Sequence, residues 1–212
     1  MNPYNLLTQL NHDANPDYYR HKYIFEAGFN DLENAIKFYL KYNFKKFQGV
    51  DIEPECATII NKELVPLQSY YETYTDLCNS NCINTPMEKN EFNVVFNLNN
   101  NTNIQDFIES NPNVIEKFDI GVFTRLFHLL NDKEIPKQIV KWFYNNSTEK
   151  ALMLFNVRTN NINPYTGEEV HNILTYNSYE ISELIELFNG VQVLRSNENS
   201  FELILIEKRC IT

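Results

Sequence analysis

The feature that most constrains this chain is an alternation. From residue 23 onward, short apolar runs of strand character take turns with segments whose apolar residues recur at helical spacing. The runs are "YIFEA" (23 to 27), "FQGVD" (47 to 51), "EFNVVFNL" (91 to 98), "FDIGVF" (118 to 123) and "ALMLFNV" (151 to 157). Between them lie a helix ending near Tyr42, one starting near Pro54, and "IPKQIVKWFYN" (135 to 145); "SYEISELIELF" (178 to 188) is a further helix. Parallel strands need a crossover that packs back on the sheet, so this order predicts a doubly wound, mostly parallel sheet with helices on both faces. The end departs from it. "VQVLRSNENSFELILIEK" puts two strands around a short polar turn with no room for a crossover, so the last strand is expected to be antiparallel.

A chain of 212 residues, 43% hydrophobic and 22% charged, is of a size for one α/β domain. We expect residues 1–22, with the amphipathic "YNLLTQL", to form a helical cap on a single domain spanning 23–212. The long stretch 57–90 between the second and third strands reads as a lid or a longer helix pair. The net charge of -10 opposes nucleic-acid partners, which need a basic face to neutralise phosphates. Lys37, Lys41, Lys45 and Lys46, the densest basic group, read as a solvated helix face and its exit. Cys56, Cys78, Cys82 and Cys210 form no CxxC pair and no zinc-ligand spacing, so no metal is expected and a reducing, cytoplasmic compartment is. No apolar run approaches the length of a membrane span, and no membrane partner is expected.

In an open α/β sheet, ligands sit beyond the carboxyl ends of the strands, here the turns after residues 27, 51, 98 and 123. The first reads Glu26-Ala27-Gly28, and the second strand ends "GVDIEPE", with Asp51 at its carboxyl edge. After the fourth comes "FDIGVFTRLFHLL" (118 to 130). Asn30 followed by Glu33 is also a capping-box pattern for the next helix.

Taken in order, "YIFEAG", "FQGVDIEPE" and "FDIGVFTRLFHLL", with the closing "LTYNSYEISELIELF" and hairpin, resemble the class I S-adenosylmethionine-dependent methyltransferases across roughly residues 23 to 208. The resemblance implies a Rossmann-like seven-stranded sheet with an antiparallel last strand, and S-adenosyl-L-methionine as cofactor. It implies that Gly28 admits the methionine end of the cofactor and that Glu26 orients its amino group. Asp51 would take the ribose hydroxyls and Ile52 would pack on the adenine. Asn99 or Asn100 would stand where the family often has an aspartate near the adenine amine. Phe123 and Thr124 would line the cofactor and face the acceptor, and His128 is the candidate general base.

The family's second and third glycines fall on Asn30 and Leu32. Asparagine tolerates left-handed backbone, whereas leucine is harder to accommodate there. Each of these residues also has a plainer reading. Asp51 can be a strand end or helix cap, His128 a packing residue, Glu26 an anchor for the loop and Asp119 a structural cap. The place of the amine-methylating motif (D/N)PP(Y/F) reads "FTRL", and no Pro-Cys dipeptide suggests cytosine chemistry. A small molecule or a protein side chain is the expected acceptor. A methyltransferase is therefore the leading expectation, and a non-catalytic binding or scaffold protein of the same fold the alternative. A nicotinamide enzyme fits less well, because its GxGxxG would read Gly28-Phe29-Asn30-Asp31-Leu32-Glu33.

Overall fold

The computed structural model describes residues 4–10, 17–52, 66–80, 87–163, 165–198 and 200–209, apart from the side chains of 66, 67, 197 and 198. The chain divides into two compact units, Met1–Ile104 and Gln105–Thr212. Seven strands make a mixed sheet in the order β3-β2-β1-β4-β5-β7-β6.

In the first unit, β1 (Tyr23–Ala27), β2 (Lys46–Asp51) and β3 (Phe96–Asn100) pair in parallel, with Glu26 opposite Gly49 and Asp51 opposite Asn100. Helix α1 (Tyr4–Leu10) and helix α2 (Glu33–Tyr42) carry aromatic faces that meet, the Tyr4 ring lying 4.8 Å from that of Phe38. On the same side, Tyr39 of α2 reaches Phe96, while Phe44 and Phe47 close the layer beneath it. Large rings bury about 150–250 Å² each, so this layer contributes substantially to the unit's stability.

The stretch 57–90 is described only in part: α3 (Pro66–Ser80) is a helix and α4 begins at Lys89, while residues 57–65 and 81–86, and the helix expected from Pro54, lie outside the described residues. One expectation is corrected here. "EFNVV" is not strand but the body of α4 (Lys89–Val95), and β3 starts only at Phe96. The Glu91 carboxylate accepts the Glu88 N–H at 3.1 Å, which satisfies a helix N-terminus. Phe92 and Phe96, four apart, stack at 4.6 Å, and Phe92 also meets Tyr71 and Tyr74, a helical spacing that outweighs the β-propensity of the two valines.

In the second unit, β4 (Phe118–Phe123) and β5 (Ser147–Arg158) are parallel. The closing hairpin of β6 (Gly190–Glu198) and β7 (Phe201–Lys208) puts β7 antiparallel to both β6 and β5, as the missing crossover required. Helix α5 (Ile104–Ser110) enters the unit, α6 (Glu134–Asn146) lays Phe143 over Gly121 and Phe123, and α7 (Ser178–Leu187) precedes Phe188, which stacks on Phe143. Asn177 and Glu180 exchange both hydrogen bonds of a capping box at the start of α7. Buried Asn146 ends α6 by accepting the Val114 N–H and donating to the Pro112 and Trp142 carbonyls. Among the described residues no helix is long and apolar enough to cross a membrane, and none of their side chains group as a metal site.

Gly49 shows how tightly the first unit closes. A Cβ there would meet the Leu98 and Phe29 side chains at 2.8 Å, so the strand passes under the Phe29 ring only because it lacks one. Gly49→Ala is expected to lose about 1–3 kcal/mol by overpacking, read as a lower urea midpoint at unchanged slope.

Candidate active site at the strand ends

The residues expected from sequence lie at the carboxyl ends of strands in each unit. In the first, residues 28 to 32 carry β1 into α2 with three left-handed backbone positions, Gly28 (φ 79°), Asn30 (φ 55°) and Leu32 (φ 62°). These are the three places where the motif that this turn resembles has glycine; here only the first is glycine. The Gly28 N–H donates to the Val50 carbonyl at 2.8 Å, and the Asn30 N–H donates to Asp51 Oδ2 at 2.7 Å. These two bonds tie the first turn to the end of β2.

The expected Asn30–Glu33 capping box does not form. The position preceding α2 is Leu32, without a side-chain cap, and the Glu33 N–H is taken instead by Asp31 Oδ1 at 3.1 Å. A left-handed Asn30 lies too far before the helix to cap it, and Glu33 turns outward to pair with Lys37 at 2.5 Å.

Glu26 is buried, 5% exposed, and its Oε2 accepts the Tyr4 hydroxyl at 2.5 Å. Burial pushes its carboxyl up to about 8; the Tyr4 bond pulls it back only in part, and the Asp51 and Asp31 carboxylates push the same way as burial. Near neutral pH it is therefore largely uncharged. Asp51 is half-buried beside Ile52, whose side chain is 59% exposed and offers an apolar surface next to the carboxylate. Asn99 Oδ1 accepts from Gln48 Nε2 at 2.6 Å, and Asn97 donates to the other end of the same buried glutamine. Asn100 Oδ1 has only a long contact from the Tyr70 hydroxyl, 3.5 Å. Of the two asparagines, Asn100 is the less committed acceptor.

In the second unit, Phe123 is wholly buried against Phe127 and Phe143, so its ring serves the core. Thr124 is buried, and Arg125 follows in left-handed backbone (φ 57°), its N–H held by Asn156 Oδ1 at 2.6 Å. Asp119 accepts from Thr148 at 3.2 Å, in keeping with a structural role. His128 is 7% exposed and stands edge-on to Phe201, and its Nδ1 has no hydrogen-bond partner. Burial lowers its imidazole to about 4, helped by the charges of Arg158 and Arg125. It is neutral at pH 7 but weakly basic, which suits hydrogen bonding better than proton removal.

Tyr4, Gln48, Asn156 and Arg158 escaped the sequence reading. Tyr4 is 22 residues from Glu26 and carries no local signal. Asn156 and Arg158 are polar residues closing an apolar strand at its carboxyl end, which is a signal, though a weak one.

No family model matches this sequence, and none of the curated proteins does. Solved structures do match the fold. The N-methyltransferase NodS from Bradyrhizobium japonicum WM9 is similar with a TM-score of 0.56 at 13% identity, over 97% of this chain and 94% of that one. Its complex with S-adenosyl-L-homocysteine gives 0.58 at 12% identity, over 97% and 85%. An O-methyltransferase family protein from Burkholderia thailandensis gives 0.59 at 6% identity, over 99% of this chain but 57% of that one. The pyocyanin biosynthetic protein PhzM gives 0.56 at 9%, over 94% and 53%, so this chain spans little more than half the length of those two. The fold is that of the S-adenosylmethionine-dependent methyltransferases.

Two expectations follow from the turn. Leu32 is 1% exposed, and losing a buried leucine costs about 2–5 kcal/mol while relief of its left-handed strain returns about 1–2 kcal/mol. Leu32→Gly should therefore destabilise the protein by up to about 4 kcal/mol in urea unfolding, despite placing glycine there. For Glu26 the folded value, about 8, lies above the unfolded one, so its contribution is complete below pH 4.5 and is lost as pH rises through 8. Relative to wild type, Glu26→Gln should gain stability across that window, by up to about 1.4 kcal/mol per pH unit, with a constant difference below it.

Proposed function

We propose that this protein is a cytoplasmic S-adenosylmethionine-dependent methyltransferase acting on a small molecule or a protein side chain. The observation that carries the reading is the turn at Gly28, Asn30 and Leu32, left-handed at all three glycine positions and bonded to Asp51 through the Asn30 amide. A side chain at a left-handed position costs energy, and a loop needed only to join a strand to a helix has cheaper routes.

The residues present fit the cofactor at its ribose and adenine. Asp51 Oδ2 holds the turn through the Asn30 N–H, and the same carboxylate would receive the ribose hydroxyls. Ile52 gives the adenine an exposed apolar face, and Asn100 is the better placed amide for its amine. Glu26 would take the ammonium of the methionine end, a cation that favours the ionised carboxyl and so works against its raised value. When bound, S-adenosylmethionine supplies the reactive methyl group and the sulfonium leaving group. The chain supplies placement, with Thr124 and His128 as candidate contacts of the acceptor. A neutral His128 would orient an acceptor hydroxyl or amine by a hydrogen bond at Nδ1. The charge of -10 favours a small molecule or a protein side chain over a nucleic acid as acceptor.

A second reading, a binding or scaffold protein of the same fold, is favoured by the Tyr4 hydroxyl seated on Glu26 and by Leu32 filling the third glycine place. Calorimetric titration with S-adenosylmethionine and S-adenosylhomocysteine separates the two. Ligand at 100 times its dissociation constant should raise stability by about 2.7 kcal/mol. Asp51→Asn, which can still accept the Asn30 amide, should lose most of that gain while melting near wild type alone. Absence of heat and of any melting shift at millimolar ligand would leave the scaffold reading.

A further inference from the structure

Arg158 ends β5 with its guanidinium inside the protein, 6% exposed. Its Nη2 donates to the Ile162 carbonyl at 2.8 Å, its Cζ lies 4.9 Å from the Phe201 ring centre, and its Nε has no partner. Among the described residues no carboxylate pairs with it. A buried cation compensated only by a carbonyl and an aromatic face costs several kcal/mol, more so where a second donor atom is left orphaned.

The orphan has company. His128 packs edge-on against the same Phe201 ring, at 5.1 Å, and its Nδ1 is also buried without a partner. Arg125, exposed on the turn after β4, is near enough that its charge acts on the imidazole together with that of Arg158. The segment after β5 is fastened over this group by backbone bonds, Leu174 N–H to the His128 carbonyl at 2.9 Å and Tyr176 N–H to the Arg158 carbonyl at 2.7 Å. Two orphaned nitrogens and two guanidinium groups with no carboxylate partner among the described residues thus stand at the carboxyl ends of β4 and β5, where a fold of this type receives its ligands.

We propose that Arg158, His128 and Arg125 form a subsite for an anionic oxygen group, a carboxylate or a phosphate, on the molecule this protein acts on. Arg158 Nε offers a charge-assisted donor of the kind that holds such groups, Arg125 adds a solvent-facing charge that draws the anion in, and neutral His128 completes the contact at Nδ1. The site selects an acidic acceptor over a neutral analogue, because the analogue leaves the buried donors unpaired. Its assignment to a methyl acceptor rests on the methyltransferase reading; the binding of an anion does not.

The test follows the His128 imidazole by proton NMR while inorganic phosphate or acetate is added to the protein without cofactor, with sodium chloride at matched ionic strength as the control. A saturable shift with phosphate, acetate or both, accompanied by a rise of the imidazole value from about 4, is the expected result, since an anion opposes the two arginine charges. The preferred anion names the group. Arg158→Gln should weaken that binding by about tenfold or more, and exposed Arg125→Gln, which leaves the core intact, by a smaller factor. No saturable shift at tens of millimolar anion, a response equal to that of chloride, or unchanged binding in a folded Arg158→Gln protein would overturn the proposal. Cofactor titration is run separately. Anion binding without cofactor binding would keep the subsite and remove only its assignment to a methyl acceptor.

Discussion

The first unit depends on a reversal made in very little chain. Between the end of β1 at Ala27 and the start of α2 at Glu33 the backbone must turn back over the sheet, and it does so through left-handed positions at 28, 30 and 32. Only the first is glycine. The cost at the other two is offset elsewhere: Leu32 is fully buried, its N–H reaches the Phe29 carbonyl, and the Asn30 amide finds the Asp51 carboxylate. The reversal delivers α2 to the sheet, and with it Phe38 and Tyr39 to the aromatic layer over β2 and β3. The same reversal sets the Asp51 carboxylate at the strand ends, bonded to the Asn30 amide. The stabilising geometry and the candidate binding geometry are one object.

Burial suppresses charge at the two candidate sites in opposite senses. Glu26 is held protonated and His128 unprotonated, each mainly by removal from water. Their effects on stability oppose each other below neutrality, where Glu26 favours the fold as pH falls from 8 toward 4.5 and His128 disfavours it as pH falls from 6.5 toward 4. Arg158 is the exception, a buried guanidinium whose described contacts are the Ile162 carbonyl and the Phe201 ring. A buried guanidinium with no carboxylate beside it among the described residues makes the end of β5 unlike the rest of the core.

Much of the architecture was legible because it rests on periodicity. The strands at 23 to 27 and 118 to 123, the helix α6 and the antiparallel closing hairpin follow from apolar spacing and from the length of chain between runs. The error at "EFNVV" came where spacing was ambiguous, and was resolved by Phe92 stacking on partners up to 21 residues away. The fold seen in solved methyltransferases at 13% identity or less agrees with this, since many sequences satisfy one pattern of burial.

Alone, the sequence determined the order of elements, the turns at which ligands would be met, and the presence there of Glu26, Asp51 and His128. These are local facts, set by side-chain spacing and by which backbone each residue permits. The tertiary structure decided what those groups are. It put Tyr4 on Glu26, gave Asp51 an amide to hold, let a leucine stand in left-handed backbone because the core received its side chain, and set Arg158 beside His128 without a counterion. Each of these is a contact between residues distant in sequence or a balance of burial against strain, and neither is encoded in any short stretch of the chain.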